Sequence, residues 1–210
     1  MTFVYYSHNS CRRFFPIQSF KFFWNVRQLA VNTPAPQLVT CEVGFGSGMS
    51  TAIVLSATSS ASDRKVGGHH YVFSIETQHQ QRAYLEQVFG SRMHFILGDS
   101  TETIPAFAKA NPGLVCDFVS IDGAHDFPTV SRTWIRHTKP PNFGLFSQVY
   151  YDIVNMHAFA KERTLLMMDD MQSWGVRRSF RMAADAGYVG TTQEFSAEKS
   201  SLDWTFSSIL

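Results

Sequence analysis

Leu38-Val39-Thr40-Cys41-Glu42-Val43 has the apolar character of a buried strand, and Gly44-Phe45-Gly46-Ser47-Gly48 follows it without a break. Residues 49–57 then carry a helical pattern. A strand that turns through three alternating glycines into a helix leaves few possible folds. Glycine accepts positive φ and lets a ligand approach the backbone closely, and the start of the helix offers unpaired N–H groups. The same alternation continues along the chain. Strands are expected at 71–75, 93–97, 117–121 and 165–168. Helices are expected at 80–89, 101–109, 151–163 and 174–186. Strands alternating with helices imply a parallel sheet covered on both faces. The tail differs, because residues 188–194 and 202–209 read as an antiparallel hairpin.

Ser131 to Val149 breaks the pattern. Lys139-Pro140-Pro141-Asn142-Phe143-Gly144 cannot continue a helix, so residues 131–149 read as an insertion of about twenty residues beside the sheet, of a length usual for functional or mobile loops. The chain therefore divides into an aromatic-rich helical extension over 1–37 and one domain over 38–210. The 210 residues are 44% hydrophobic and 17% charged, which allows a sizeable core. A net charge of +1 gives no electrostatic reason to expect nucleic acid or an anionic membrane as partner. No apolar stretch is long enough to span a bilayer. Cys11, Cys41 and Cys116 are odd in number and widely spaced, which is neither a disulfide framework nor a zinc site. Cys41 and Cys116 are expected as free, buried thiols, with a reducing, cytoplasmic setting as the default. Residues 1–41 are basic and hold no acid, as mitochondrial leaders do. Phe14, Phe15, Phe20, Phe22, Phe23 and Trp24 fit a helix packed on the domain better.

Acidic residues close four successive strands: Glu42 within the first strand, Glu76 after the second, Asp99 after the third and Asp122 after the fourth. In an open parallel sheet the carboxyl ends of the strands form the ligand crevice. Glu76 suits both hydroxyls of a ribose, and Asp99 suits the amino group of an adenine or the N-cap of the next helix. Met49 stands where a dinucleotide fingerprint needs its third glycine. Glu42 would repel a pyrophosphate and attract an ammonium, at least through water. These two features favour S-adenosylmethionine over a dinucleotide.

Glu42-x-Gly44-x-Gly46-x-Gly48, Glu76 and Gly98-Asp99-Ser100 resemble the motifs of class I S-adenosylmethionine-dependent methyltransferases. Asp117-Phe118-Val119-Ser120-Ile121-Asp122-Gly123-Ala124-His125 is similar to the fourth-strand signature of the small-molecule type, methyltransferase family 24. Asp169-Asp170 after the fifth strand fits that family as well. The resemblance covers about residues 38–195. It implies a Rossmann-like, doubly wound α/β fold of seven strands, mostly parallel with an antiparallel C-terminal hairpin. It also implies that Gly44, Gly46, Gly48, Glu76, Asp99, Ser100 and Asp122, with Glu42, hold the cofactor. The chain departs from the family at the insertion and in lacking a Pro-Gly-Gly turn before the fifth strand.

The implied activity is O-methylation of a small hydroxylated acceptor. His125 is the candidate general base, beside Asp122. Catechol O-methyltransferase and its relatives hold one divalent metal by an acid after the fourth strand and a pair after the fifth. Asp122, Asp169 and Asp170 offer similar positions for magnesium or another divalent cation. Two other readings share the fold: a non-catalytic S-adenosylmethionine-binding protein, and an NAD-dependent oxidoreductase, which the glycine spacing disfavours.

Overall fold

The computed structural model describes residues 16–33, 37–59, 68–75, 78–123, 148–162, 164–171, 173–196 and 203–209. In chain order these form α1 (Pro16–Asn32), β1 (Val39–Val43), α2 (Met49–Ala57), β2 (His69–Ser74), α3 (His79–Phe89), β3 (Met93–Leu97), α4 (Ser100–Ala110), β4 (Phe118–Ile121), α5 (Gln148–Met156), β5 (Leu165–Met168), α6 (Trp174–Asp185), β6 (Val189–Ser196) and β7 (Asp203–Ile209). One sheet runs in the order β3-β2-β1-β4-β5-β7-β6. β1 to β5 are mutually parallel where they pair. β7 lies antiparallel to both β5 and β6.

The strand side chains explain the layering. Cys41, Val43, Val119, Ile121, Leu166 and Met168 point to one face and form a core with Ile153 and Met156 of α5 and Val176 and Phe180 of α6. Phe118 and Met167 point to the other face and meet Ile53, Val54 and Ala57 of α2 and Phe22 and Val26 of α1. Strands buried on both faces need apolar residues at successive positions, which is why β4 and β5 read as continuous runs rather than alternations.

The expectation that the aromatic N-terminal segment packs on the domain is met for α1. Phe22 is 2% exposed, with its ring 6.2 Å from that of Phe118. Arg27 of α1 donates to the carbonyls of Ala57 and Ser59 at 3.3 and 2.6 Å, capping the last turn of α2.

Three sequence-based expectations change. Cys41 and Cys116 are joined in a disulfide, with Cα atoms 6.0 Å apart. Their wide spacing hid this pairing, because the crossover between neighbouring strands β1 and β4 returns the chain to the same place. Paired in this way, Cys41 and Cys116 give no reason to expect a reducing compartment. The helix expected over 151–163 is α5, which starts at Gln148, ends at Met156 and gives way to a 3-10 turn at His157–Phe159. Residues 131–147 of the expected insertion lie outside the described residues; its last two, Gln148 and Val149, open α5. Among the described residues, no helix is long and apolar enough to cross a membrane.

Two measurements check this account. Phe22→Ala removes a buried ring and is expected to cost about 3–5 kcal/mol. Phe20→Ala, at a position 64% exposed on the same helix, is expected to stay within about 0.5 kcal/mol. Equal melting temperatures for the two variants would detach α1 from the core. The second concerns His94 of β3, which stacks on Tyr71 and has Nε2 2.9 Å from His69 Nδ1. Burial lowers the affinity of its imidazole for a proton below the ordinary value of 6.5, and His69 and His70 add to the effect. The unfolded chain binds that proton more readily, so this contribution to stability is complete above about pH 6.5 and is lost as the pH falls. His94→Gln should therefore flatten the loss of urea stability between about pH 7 and 5; an unchanged slope would contradict it.

Candidate functional site

The site is built where β1, β2, β3 and β4 end. Gly44 takes φ +92° as the chain leaves β1, and a Cβ there would overlap the carbonyl oxygen of Asp122. The glycine loop thus lies directly on the turn after β4. Gly44 N–H donates to the carbonyl of Phe73 at 2.9 Å, and Phe45 N–H to Ser74 Oγ at 3.2 Å, tying the loop to β2 as well. Phe45 is buried among Leu55, Val72, Leu85 and Met93. Gly46 and Ser47 stand exposed at the loop's tip. Gly48, at φ +74°, is the N-cap of α2 and supplies no side-chain cap. The first N–H groups of α2 are thereby left for a ligand or water.

Glu42 does not face this crevice. It has no exposed surface and lies under the first turn of α2. Ser50 Oγ and Thr51 Oγ1 both donate to its carboxylate. His70 Nε2 meets Glu42 Oε2 at 2.9 Å, and His70 Nδ1 meets Thr40 Oγ1 at 2.8 Å. The expectation that Glu42 attracts a ligand ammonium is corrected by this burial. Its carboxylate holds the helix that carries the loop. His70 is itself fully buried.

Asp99 caps α4, accepting from Thr101 N–H at 2.9 Å and from Thr101 Oγ1 at 2.7 Å through Oδ1. The N-cap reading of Asp99 is therefore met. Ile75 and Leu97, at the ends of β2 and β3, are 55% and 53% exposed and give the crevice apolar lips. Ser100 Oγ turns inward and donates to Asp152 Oδ1 of α5 at 2.6 Å. Asp122 begins the turn after β4, with its N–H on the carbonyl of Val43 at 2.9 Å. Asp169 is buried and accepts the N–H of Asp170 at 2.7 Å, while Asp170 takes φ +56°. Among the described residues, no group of three acidic, histidine or cysteine side chains is placed to hold a metal ion. Asp122, Asp169 and Asp170, the expected metal set, form no such group, and Asp169 Oδ1 accepts the N–H of Asp170. Glu76 and His125 lie outside the described residues.

Sequence reasoning missed Asp152 and Gln148. The signal was present: Val149, Asp152, Ile153 and Met156 share the buried face of α5 at helical spacing. A carboxylate on such a face needs buried partners.

A family model described as "Methyltransferase domain" (Methyltransf_24) matches residues 41–171. No curated protein sequence matches the chain. Among solved structures, an O-methyltransferase from Bacillus cereus in complex with SAH superposes with TM-score 0.64 at 14% identity, covering 96% of this chain and 84% of its own. Cofactor-bound Rv0187 from MTB gives 0.65 at 13% identity, with 95% and 83% covered. The O-methyltransferase TomG from Streptomyces achromogenes, in complex with SAM, gives 0.56 at 15% identity, with 88% and 79% covered. At these identities the likeness is one of fold.

Glu42→Ala leaves three buried donors without their acceptor. It is expected to lower the free energy of unfolding by about 3 kcal/mol. A loss below about 0.5 kcal/mol in urea titration would show that α2 is held by something else.

Proposed function

This chain belongs to the methyltransferase-domain family Methyltransf_24, and from that premise we propose that it transfers a methyl group from S-adenosylmethionine to a hydroxyl oxygen of a small acceptor. It is an enzyme and a class I S-adenosylmethionine-dependent methyltransferase. The observation that carries the proposal is the contact between Gly44 and the carbonyl of Asp122. It brings the glycine loop, the open start of α2 and the turn after β4 to one place.

Each part has a task. The first N–H groups of α2 bind the carboxylate of the cofactor's amino-acid arm. Gly46 and Gly48 let that arm lie against the backbone. Glu76 takes the ribose hydroxyls. Ile75 and Leu97 cover the adenine, and Asp99 accepts from its amino group through the oxygen that the helix cap does not use. When bound, the cofactor supplies an activated sulfonium methyl. The turn after β4 sets the acceptor oxygen in line with that methyl, which is where alignment accelerates transfer most. As the new C–O bond forms and the S–C bond breaks, the hydroxyl proton passes to His125, with Asp122 beside it. The described carboxylates do not fit a divalent cation, so no step passes through one. The structural relatives named as O-methyltransferases support oxygen as the acceptor atom.

Isothermal titration with S-adenosylhomocysteine (SAH) tests the proposal. Among the described residues nothing lies within 4 Å of a Cβ position at Gly46, and its φ is +47°, so Gly46→Arg puts a side chain over the loop and confines the backbone strain to its exposed tip. Wild-type protein is expected to bind SAH, and Gly46→Arg to bind it at least about 100-fold more weakly while it still unfolds cooperatively. Failure of the wild type to bind would remove the proposal.

A further inference from the structure

Gln148 opens α5 beside the turn after β3. Its Nε2 donates to Ser100 Oγ at 2.9 Å and stands 3.5 Å from Asp99 Oδ1. Ser100 Oγ already gives its proton to Asp152 Oδ1, and a carboxylate can only accept. Both partners therefore demand a donor, which fixes the carboxamide with nitrogen towards them and oxygen away. That oxygen, Gln148 Oε1, is enclosed and has no hydrogen-bond partner among the described residues. Gln148 itself is 6% exposed. An enclosed amide oxygen without a donor is unfavourable, so the site favours a ligand edge that brings one.

We infer that Gln148 is a base-selecting residue of the cofactor site: its Oε1 accepts from the exocyclic amino group of the adenine. Asp152 is the positioning residue behind it. Asp152 has no exposed surface, orients Ser100, and lies where a Cβ on Gly123 would come within 3.2 Å of its Oδ2. One carboxylate thus references Gln148 to the turns after both β3 and β4. Gln148 and Asp99 approach the same amino group, one from α5 and the other from the α4 cap. The inference rests on the cofactor reading given above and adds a side chain from α5 to it.

The experiment compares SAH with S-inosylhomocysteine, in which a carbonyl oxygen replaces the amino group. Binding of each is measured by calorimetry to wild-type protein and to Gln148→Met, which fills similar space without the amide. Wild type is expected to prefer SAH by at least about tenfold. Gln148→Met is expected to weaken SAH by about tenfold and the inosine analogue by less than about threefold, narrowing the preference. Equal weakening of both ligands would mark Gln148 as merely structural and overturn the inference while leaving the cofactor reading intact. Equal affinity of the wild type for the two ligands would overturn it too, without reference to any variant. No binding of either ligand to the wild type would remove the cofactor reading and this inference together.

Discussion

A single buried carboxylate determines much of this domain's geometry. Glu42 lies on the interior strand β1 with no exposed surface, and a charge in that position is tolerable only when hydrogen bonds replace its water. Those bonds come from two elements, the first turn of α2 through Ser50 and Thr51, and β2 through His70. Meeting the demands of one side chain therefore fixes the helix against the sheet. The glycine loop between β1 and α2 has little choice of path once both of its ends are set. The positive φ values at Gly44, Gly46 and Gly48 follow from spanning that gap in five residues.

The opposite face of the sheet solves a similar problem with Asp152. It is equally buried, but its partners are Ser100 and, through it, Gln148. Each face of the sheet thus has an interior carboxylate that ties a helix to a turn of the crevice. The first orders the loop that follows β1. The second orders the turns after β3 and β4. Asp169 has a more local role, accepting the N–H of Asp170 through Oδ1.

Much of this was legible in the sequence. The bounds of α2, β3 and β5 follow from apolar runs and glycine punctuation, since each run is set by local periodicity. The glycine loop and the acid at Asp99 are legible for the same reason. What was hidden depends on contacts between distant segments. The Cys41–Cys116 disulfide and the His70–Glu42 pair join residues brought together only by parallel crossovers. The direction in which Glu42 points follows from strand parity: Thr40 and Glu42 share the α2 face, whereas Cys41 and Val43 face the other way. Side chains that alternate along residues 39–43 turn Glu42 towards α2 and away from the crevice, so its direction is a local property of the strand. Gln148 was hidden because the proline-bearing stretch before it places the expected start of the helix at 151, three residues after its actual start.

The far end of α2 is fixed as well. Arg27 from α1 takes the carbonyls of Ala57 and Ser59, and Arg92 takes the carbonyl of Leu55 and the hydroxyls of Thr58 and Ser59. A short helix tied by hydrogen bonds at both ends resists tilt and register shift. Occupancy of the crevice can therefore be transmitted only through elements that have two arrangements to choose between. On this geometry α2 is the fixed reference, and any change in shape that accompanies ligand binding is carried by the face that holds α5.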